Sequence, residues 1–165
     1  RIPIFWDESF KYSNLVKENI MISKKDWDSR ETSCDFKQTP LLNKNTSLEK
    51  AYQAWQEEVF QDFFQLHTNE EELNRTFIDI YGLQDELAPE VALKDITILQ
   101  EELNGKDLEA IESKFREEGA TSISLPLNKA EVMQQFISYA MGLLRIPIPP
   151  QRSWLIIFTT MATWL

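Results

Sequence analysis

The chain has 165 residues, of which 27 are acidic and 17 basic, so its net charge is −10 and its isoelectric point lies near 4.6. This length suits one domain with a core. The negative charge argues against the whole chain lying on a nucleic acid, because such proteins gain much of their affinity from Lys and Arg. Cys34 is the only cysteine, which excludes an internal disulfide and a cysteine zinc cage, and we expect a cytoplasmic protein.

The first part of the chain, residues 1–45, is interpreted as an irregular docking segment. It mixes both signs of charge and contains one convincing helical run, at 14–22. Residues 24–36 have neither a helical nor a strand period. Because the sequence begins at Arg1 in what reads as the middle of a strand or loop, we expect a piece of a larger protein.

A cluster of basic and aromatic side chains in this segment is the candidate contact site. Such an arrangement could touch phosphate, stack on a base or meet another domain. Ion pairs with the carboxylates interleaved among them explain the cluster at least as well. The candidate contact residues are Lys24, Lys25, Trp27, Arg30 and Lys37.

Residues 46–144 are predicted to form a helical connector that begins with one long helix. Thr46 and Glu49 have the spacing of a capping box, and Gly82 predicts the end of the helix after Tyr81. A start signal at residues 68–72 leaves open a break near His67. The helix requires a partner for its single apolar stripe, which consists of Leu48, Tyr52, Trp55, Val59, Phe63, Leu66, Leu73, Phe77 and Ile80.

The later part of the connector predicts two shorter helices, at 106–118 and 128–144, the second capped by Asn128 with Glu131 three residues on. Residues 83–91 read as a turn, and 94–99 as a strand or a loop. The predicted fold is therefore mainly α, with a long helix or helical hairpin and shorter helices.

Residues 145–165 form an atypical apolar tail. The run from 154 to 165 is shorter than the roughly 20 residues of a membrane span, so we expect no membrane partner. Such a tail, like the apolar stripe, exposes surface that invites self-association.

Few residues in the chain suit catalysis. His67 is the only histidine, which excludes a centre of several histidines, and we expect it to be half-exposed on the helix surface. The four glycines are scattered, so no glycine-rich phosphate loop exists. We therefore assign no catalytic, cofactor-binding or metal residue.

Four stretches, taken together and in order, resemble the PglX-like adenine-specific DNA methyltransferases of BREX phage-defence systems, which are similar to fused type IIG restriction–modification enzymes. They are ISKKDWDSRETSCDF at 22–36, PLL at 40–42, EEELNRTFIDIYGLQDELAPE at 70–90 and ISYAMG at 137–142. The resemblance implies transfer of a methyl group from S-adenosylmethionine to adenine N6 in DNA, with the base flipped out of the duplex.

The family's catalytic Asn-Pro-Pro-Tyr/Phe loop and glycine-containing cofactor motif do not occur in this chain. Ile148 stands before Pro149 and Pro150, where the family has Asn. The resemblance thus implies a connector that follows the catalytic domain and is inactive alone. Its partners would be the catalytic and recognition domains of the parent protein, and the parent would bind DNA and S-adenosylmethionine. Cys34 stands where the family often has Trp. The family pattern stops after Gly142, as a frameshift or truncation would produce.

A second hypothesis is a free-standing helical module that binds a partner protein through its apolar stripe and tail. The two hypotheses differ in whether a reading frame with the Asn-Pro-Pro motif lies directly upstream.

Overall fold

The computed structural model describes residues 12–42 and 47–144, and four α-helices form their framework. The helices are α1 (Ser13–Asp28), α2 (Leu48–Tyr81), α3 (Gly105–Glu118) and α4 (Lys129–Leu143). Two short 3-10 turns, Leu93–Asp95 and Ala120–Ser122, complete the regular structure of these residues, which contain no strand. The mainly α prediction is confirmed. The predicted cap Thr46 and the apolar tail at 145–165 lie outside the described residues.

Helices α1 and α2 form an antiparallel pair. The Asn69 side-chain amide donates to Glu18 and Asn19 near the start of α1, over 2.9 and 2.8 Å. At the other end of α1, Lys25 pairs with Glu58 and Asp62 on the earlier part of α2. Helix α1 thus supplies part of the cover that the long stripe requires.

Helix α1 is longer than the predicted run at 14–22, because it continues to Asp28. No apolar period marks the added residues, since Trp27 is 56% exposed there and Lys25 meets α2 through charge. The expectation of an aperiodic segment from residue 24 onward is wrong as far as Asp28. The division of the chain at residues 45 and 145 stays a prediction.

Helix α2 runs unbroken for 34 residues, which is about 51 Å at ~1.5 Å per residue. The alternative of a break near His67 is therefore wrong. Its N-cap is Ser47, whose hydroxyl accepts from the Lys50 N–H over 3.3 Å. Gly82 ends the helix with φ of 66°, as predicted.

Gly82 provides a local test of this helix end. Replacement with alanine is expected to lower the free energy of unfolding by about 1–2 kcal/mol, because a Cβ is disfavoured in the left-handed conformation. Gly142→Ala, inside α4 with open space around its Cα, is the matched control and should raise stability by roughly 0.5–1 kcal/mol. Urea denaturation of both variants measures the difference, and an equal effect of the two would contradict the argument.

The core lies where the middle of α2 meets the other helices. Phe63, Leu66 and Leu93 are fully buried, and the Phe64 ring lies 5.3 Å from that of Phe115 on α3. Val132 adds the buried face of α4. The ends of the predicted stripe do not join this core. Leu48 and Phe77 are 42% and 48% exposed, whereas the buried positions near the C-terminus of α2 are Thr76 and Ile78.

Residues 91–99 form turns where the sequence left a strand or a loop open. The 3-10 turn Leu93–Asp95 leads into Ile96 and Ile98, which are both buried in the core. This segment contains no strand. Its apolar side chains are buried because it lies over the core, not because it pairs with another strand.

His67 is buried, so the expectation of a half-exposed surface residue is wrong. Its side chain is 3% exposed, and its Nε2 lies 2.8 Å from the Val91 carbonyl oxygen. The ring also meets that of Phe115 edge-on at 5.1 Å. His67 thus attaches the chain after the 83–91 turn to the middle of α2.

Glu71 joins the same attachment. It accepts from the Val91 N–H over 3.1 Å and from Arg116 over 2.7 Å, and Arg116 is also paired with Glu112. Burial acts to raise the pKa of Glu71, but the bonds from Arg116 and Val91 outweigh it and lower that pKa.

The lowered pKa of Glu71 predicts a contribution to acid stability. A carboxyl with a lowered folded-state pKa stabilises the fold above the ordinary pKa of glutamate, and this stabilisation is lost as pH falls through the folded-state value. The wild type should therefore lose stability more steeply on acidification than Glu71→Gln, with the two converging at low pH. Urea midpoints measured across the acid range test this. Glu57→Gln, at an exposed site on α2, is the control and should follow the wild type.

Candidate functional site

A cleft of about 530 Å³ lies beside the segment that contains the candidate contact residues. Its walls come from the C-terminal half of α1, the following loop to Leu41, the first half of α2, residues 98–102 and α4. The cleft therefore brings together parts of the sequence that are far apart. Much of the described part of the predicted docking segment, between residues 22 and 41, contributes to the lining of the cleft.

Arg30 connects three of these walls. Its guanidinium lies 3.1 Å from Asp26, 3.2 Å from Glu101 and 3.6 Å from Glu102, and its side chain is only 12% exposed. Gln135 on α4 donates to Glu101 and Glu102, over 3.2 and 2.8 Å. The structure thus uses Arg30 inside the fold, where it holds α1, the 98–102 turn and α4 together.

The turn that carries Glu101 and Glu102 depends on Asp26. The Asp26 carboxylate accepts the Leu99 N–H over 3.1 Å, and Leu99 adopts a left-handed conformation with φ of 57°. Burial raises the pKa of Asp26, against the lowering effects of Arg30 and the Leu99 N–H. Asp26 is thus a positioning group for the wall of the cleft.

Two buried atoms of this network have no hydrogen-bond partner in the described part of the chain. They are Nε of Arg30 and Oε2 of Glu102. Glu102 as a whole is 4% exposed. An unsatisfied carboxylate oxygen at such a position is costly, because it has given up water without gaining a donor. Glu102 therefore retains capacity to accept a hydrogen bond.

Of the other candidate cations, Lys24 and Lys25 form ion pairs, whereas Lys37 does not pair with the described residues. Lys24 lies 2.7 Å from both Asp28 and Asp35, and these bonds raise the pKa of its ammonium. Lys25 is paired with α2, and although burial acts to lower its pKa, the bonds to Asp62 and Glu58 together outweigh it and raise that pKa. Lys37 is exposed and forms no ion pair with the described residues.

The cleft is acidic in sum. Seven carboxylates and two cations, Lys25 and Arg30, line it. Each cation is outnumbered, since Lys25 meets two carboxylates and Arg30 meets three. Glu31 on the rim is exposed and has no ion pair with the described residues. Of the candidate contact residues, Lys25 and Arg30 line this cleft, and the predicted contact of the set with DNA or another domain stays a prediction.

Three aromatic side chains, Phe36, Tyr139 and Trp55, form an apolar wall in the lining of the cleft. Phe36 and Tyr139 meet edge-on with ring centroids 5.6 Å apart, and the buried Trp55 lies on the α2 side. This pairing of a loop aromatic with an α4 aromatic is part of the cleft lining. The arrangement suits a ligand that has both apolar and cationic parts.

The described residues offer no metal centre and no membrane helix. Within 12–42 and 47–144, no three His, Cys, Asp or Glu side chains cluster so that they could hold a metal ion. No helix there combines the length and apolarity needed to cross a membrane.

Comparison with known proteins finds a relative that is similar over part of its length. The adenine-specific methyltransferase PglX of Lacticaseibacillus casei (strain Zhang) is 41% identical over 120 residues. Over this match the chain is PglX-like. The match takes in 69% of the chain but 10% of the relative, as expected of a fragment of a PglX-like protein. No protein-family model and no solved structure matches this PglX-like chain.

Proposed function

We propose that this PglX-like chain is a helical connector in a DNA methyltransferase and is inactive alone. The parent would transfer a methyl group from S-adenosylmethionine to adenine N6, act in a BREX-type phage-defence or restriction–modification system, and work in the cytoplasm. The 41% identity to PglX over 120 residues is the observation that carries this proposal.

The missing motifs favour a non-catalytic part of the parent. The chain has no Asn before Pro149 and Pro150, and its glycines at 82, 105, 119 and 142 form no cofactor loop. With a single histidine that is buried against Val91, the chain also lacks an available imidazole for acid–base work. Catalysis and cofactor binding therefore belong to other parts of the parent protein.

The α1–α2 pair supports a spacer role. A continuous helix of 34 residues keeps its two ends at a fixed separation, and α1 braces it through Asn69 and Lys25. Such a pair can hold a catalytic domain and a recognition domain in one orientation, which a reaction on a flipped-out base requires.

The charges near the cleft favour DNA binding through other parts of the parent. Lys24, Lys25 and Arg30 are engaged by carboxylates, so each would have to leave a partner in order to meet phosphate. Among the candidate contacts, Lys37 is exposed and forms no ion pair with the described residues, and Trp27 is 56% exposed.

Sequencing the genomic DNA on both sides of this coding segment tests the assignment first. Translation of all frames is expected to find an upstream methyltransferase frame with the Asn-Pro-Pro motif and a downstream frame that resumes the family pattern. An isolated gene with its own start, and a stop after Leu165, would contradict the proposal.

The parent protein then allows a direct test of the spacer. Full-length protein should label adenine in DNA from radioactive S-adenosylmethionine, and the isolated chain should not. Replacing residues 48–81 of the full-length protein with a flexible Gly-Ser linker of equal length should abolish labelling but leave S-adenosylmethionine binding intact. Full labelling by the linker variant would exclude a spacer role, and labelling by the isolated chain would exclude its inactivity.

An exposed apolar row on α1 favours the second candidate, a protein-interaction module. Val16, Ile20 and Trp27 are 42%, 58% and 56% exposed, and their spacing places them on one side of the helix. In a connector this row would meet another domain, and in a free-standing module it would meet a partner protein. The genomic test distinguishes the two.

A further inference from the structure

Building on the connector role, we propose that the acidic cleft receives a segment from the remainder of the PglX-like polypeptide, and that this segment places a Lys or Arg side chain and an adjoining apolar side chain in the cleft. The occupant is thus a basic, apolar peptide segment and not a nucleic-acid phosphate.

The net negative charge of the cleft favours a positively charged side chain as its occupant. Its lining contains seven carboxylates against two cations, and Lys24 behind Asp28 also meets Asp35, so it adds no net positive charge. A phosphate in this position would meet like charge, whereas an ammonium or guanidinium would be attracted. Glu101 and Glu102 also act on Glu131 outside the lining, whose pKa is raised first by its burial and then by these two carboxylates.

Glu102 gives an independent reason to expect a donor. It is 4% exposed, lines the cleft, and accepts from Gln135 through Oε1, while its Oε2 has no hydrogen-bond partner in the described chain. Arg30 is the nearest cation at 3.6 Å, beyond hydrogen-bond distance. A small shift of this carboxylate toward a donor in the cleft would satisfy the oxygen.

The apolar wall determines what accompanies the cation. Phe36, Tyr139 and Trp55 line the same space of about 530 Å³ as the carboxylates, which is enough for a few side chains. Lys and Arg carry apolar stems that pack well on such rings while the charged group reaches carboxylates.

The proposed source of the segment is the part of the parent polypeptide that lies outside the match. The matched residues cover 10% of PglX, so nine-tenths of such a polypeptide lies outside the match and is tethered to this domain. A tethered segment has a high effective concentration near the cleft, and a weak pocket can therefore be occupied permanently.

Two full-length variants that differ only in the site of a charge reversal test the proposal. Glu31→Lys places a cation on the cleft rim, and Glu57→Lys makes the same change on α2 away from the cleft. Both glutamates are exposed and unpaired among the described residues, so neither change should unfold the domain. Hydrogen exchange of the amides at 29–41 should become at least about threefold faster in Glu31→Lys and stay unchanged in Glu57→Lys. Equal exchange in the two variants would overturn the proposal.

Cross-linking of the full-length protein identifies the occupant. A carbodiimide joins a carboxylate to a lysine amine without a spacer, so cleft carboxylates should link to a lysine elsewhere in the same polypeptide. If the cation is an arginine, the exchange difference appears without a link, which still supports the proposal. Mixing light and ¹⁵N-labelled protein reveals links between copies, and such links alone would overturn the proposal in favour of a second copy. Neither readout involves methyl transfer, so a failed methylation assay would count against the proposed function separately.

Discussion

Replacing Arg30 with alanine is expected to lower the free energy of unfolding by about 3–5 kcal/mol. The guanidinium is 12% exposed and faces Asp26, Glu101 and Glu102. Its removal leaves Asp26 and Glu102 in a partly dry site without a cation, which costs far more than the pair contributes in the wild type. Since small domains are stable by only about 5–15 kcal/mol, the loss is large enough to reduce or abolish a cooperative urea transition.

Lys37→Ala provides the matched control for Arg30→Ala. Lys37 belongs to the same predicted basic cluster, but it is exposed and forms no ion pair with the described residues. Its replacement should change the free energy of unfolding by no more than about 0.5 kcal/mol. Urea denaturation followed by circular dichroism measures both variants, and a similar small effect of the two would mean that Arg30 is a surface residue.

A double-mutant cycle tests why Arg30 matters. Glu102→Gln removes one of the charges that Arg30 compensates, so Arg30→Ala should cost less in that background. The coupling free energy between the two sites is expected to be at least about 1 kcal/mol. Additive effects would show that the loss in Arg30→Ala comes from packing of its aliphatic stem and not from uncompensated charge.

The limits of prediction from sequence are clear at Arg30. The interleaved cations and carboxylates left ion pairing and DNA contact equally open, and the structure pairs Arg30 in part with neighbours such as Asp26. Its other partners come from residues 101–102, and the nearby hydrogen bond that the Leu99 N–H donates to Asp26 spans 73 residues. No local pattern signals such a contact, so Glu101, Glu102 and Gln135 were not predicted as site residues.

Features determined by nearby residues were predictable. The end of α2 at Gly82 follows from the need for a left-handed residue, and the start of α4 follows from Asn128, which accepts from the N–H groups of residues 130 and 131. Ser47 caps α2, one residue after the predicted Thr46, which lies outside the described residues. The PglX resemblance was likewise recognisable from continuous motifs, and comparison confirms it.

His67 shows how tertiary contacts override a helix pattern. It follows Leu66 of the apolar stripe and was expected to be half-exposed, but it is buried because the Val91 carbonyl, 24 residues later, lies against it. The turn at 83–91 directs the chain back onto α2, and the sequence of the turn does not reveal where that return ends. Because the chain folds back in this way, Leu93 and Phe115 pack at the core.

Phe63→Ala is expected to cost about 3–5 kcal/mol of stability, comparable to the loss in Arg30→Ala but by another mechanism. Phe63 is 0% exposed in the middle of α2, and its ring packs on that of Phe64 at 5.3 Å. Alanine leaves a cavity that the surrounding helices cannot close completely. Phe63→Leu keeps most of the volume and should cost less than about 1.5 kcal/mol.

Phe77→Ala tests whether the stability cost of losing a phenylalanine of the stripe depends on how deeply that side chain is buried. Phe77 belongs to the same predicted stripe on the same helix, but it is 48% exposed. Its replacement should cost well under the loss at Phe63, within about 1 kcal/mol, in urea denaturation of the same chain. If Phe77→Ala proved as costly as Phe63→Ala, the stripe would be covered over its whole length. The buried interface on α2 would then extend to the C-terminal end of this 34-residue helix.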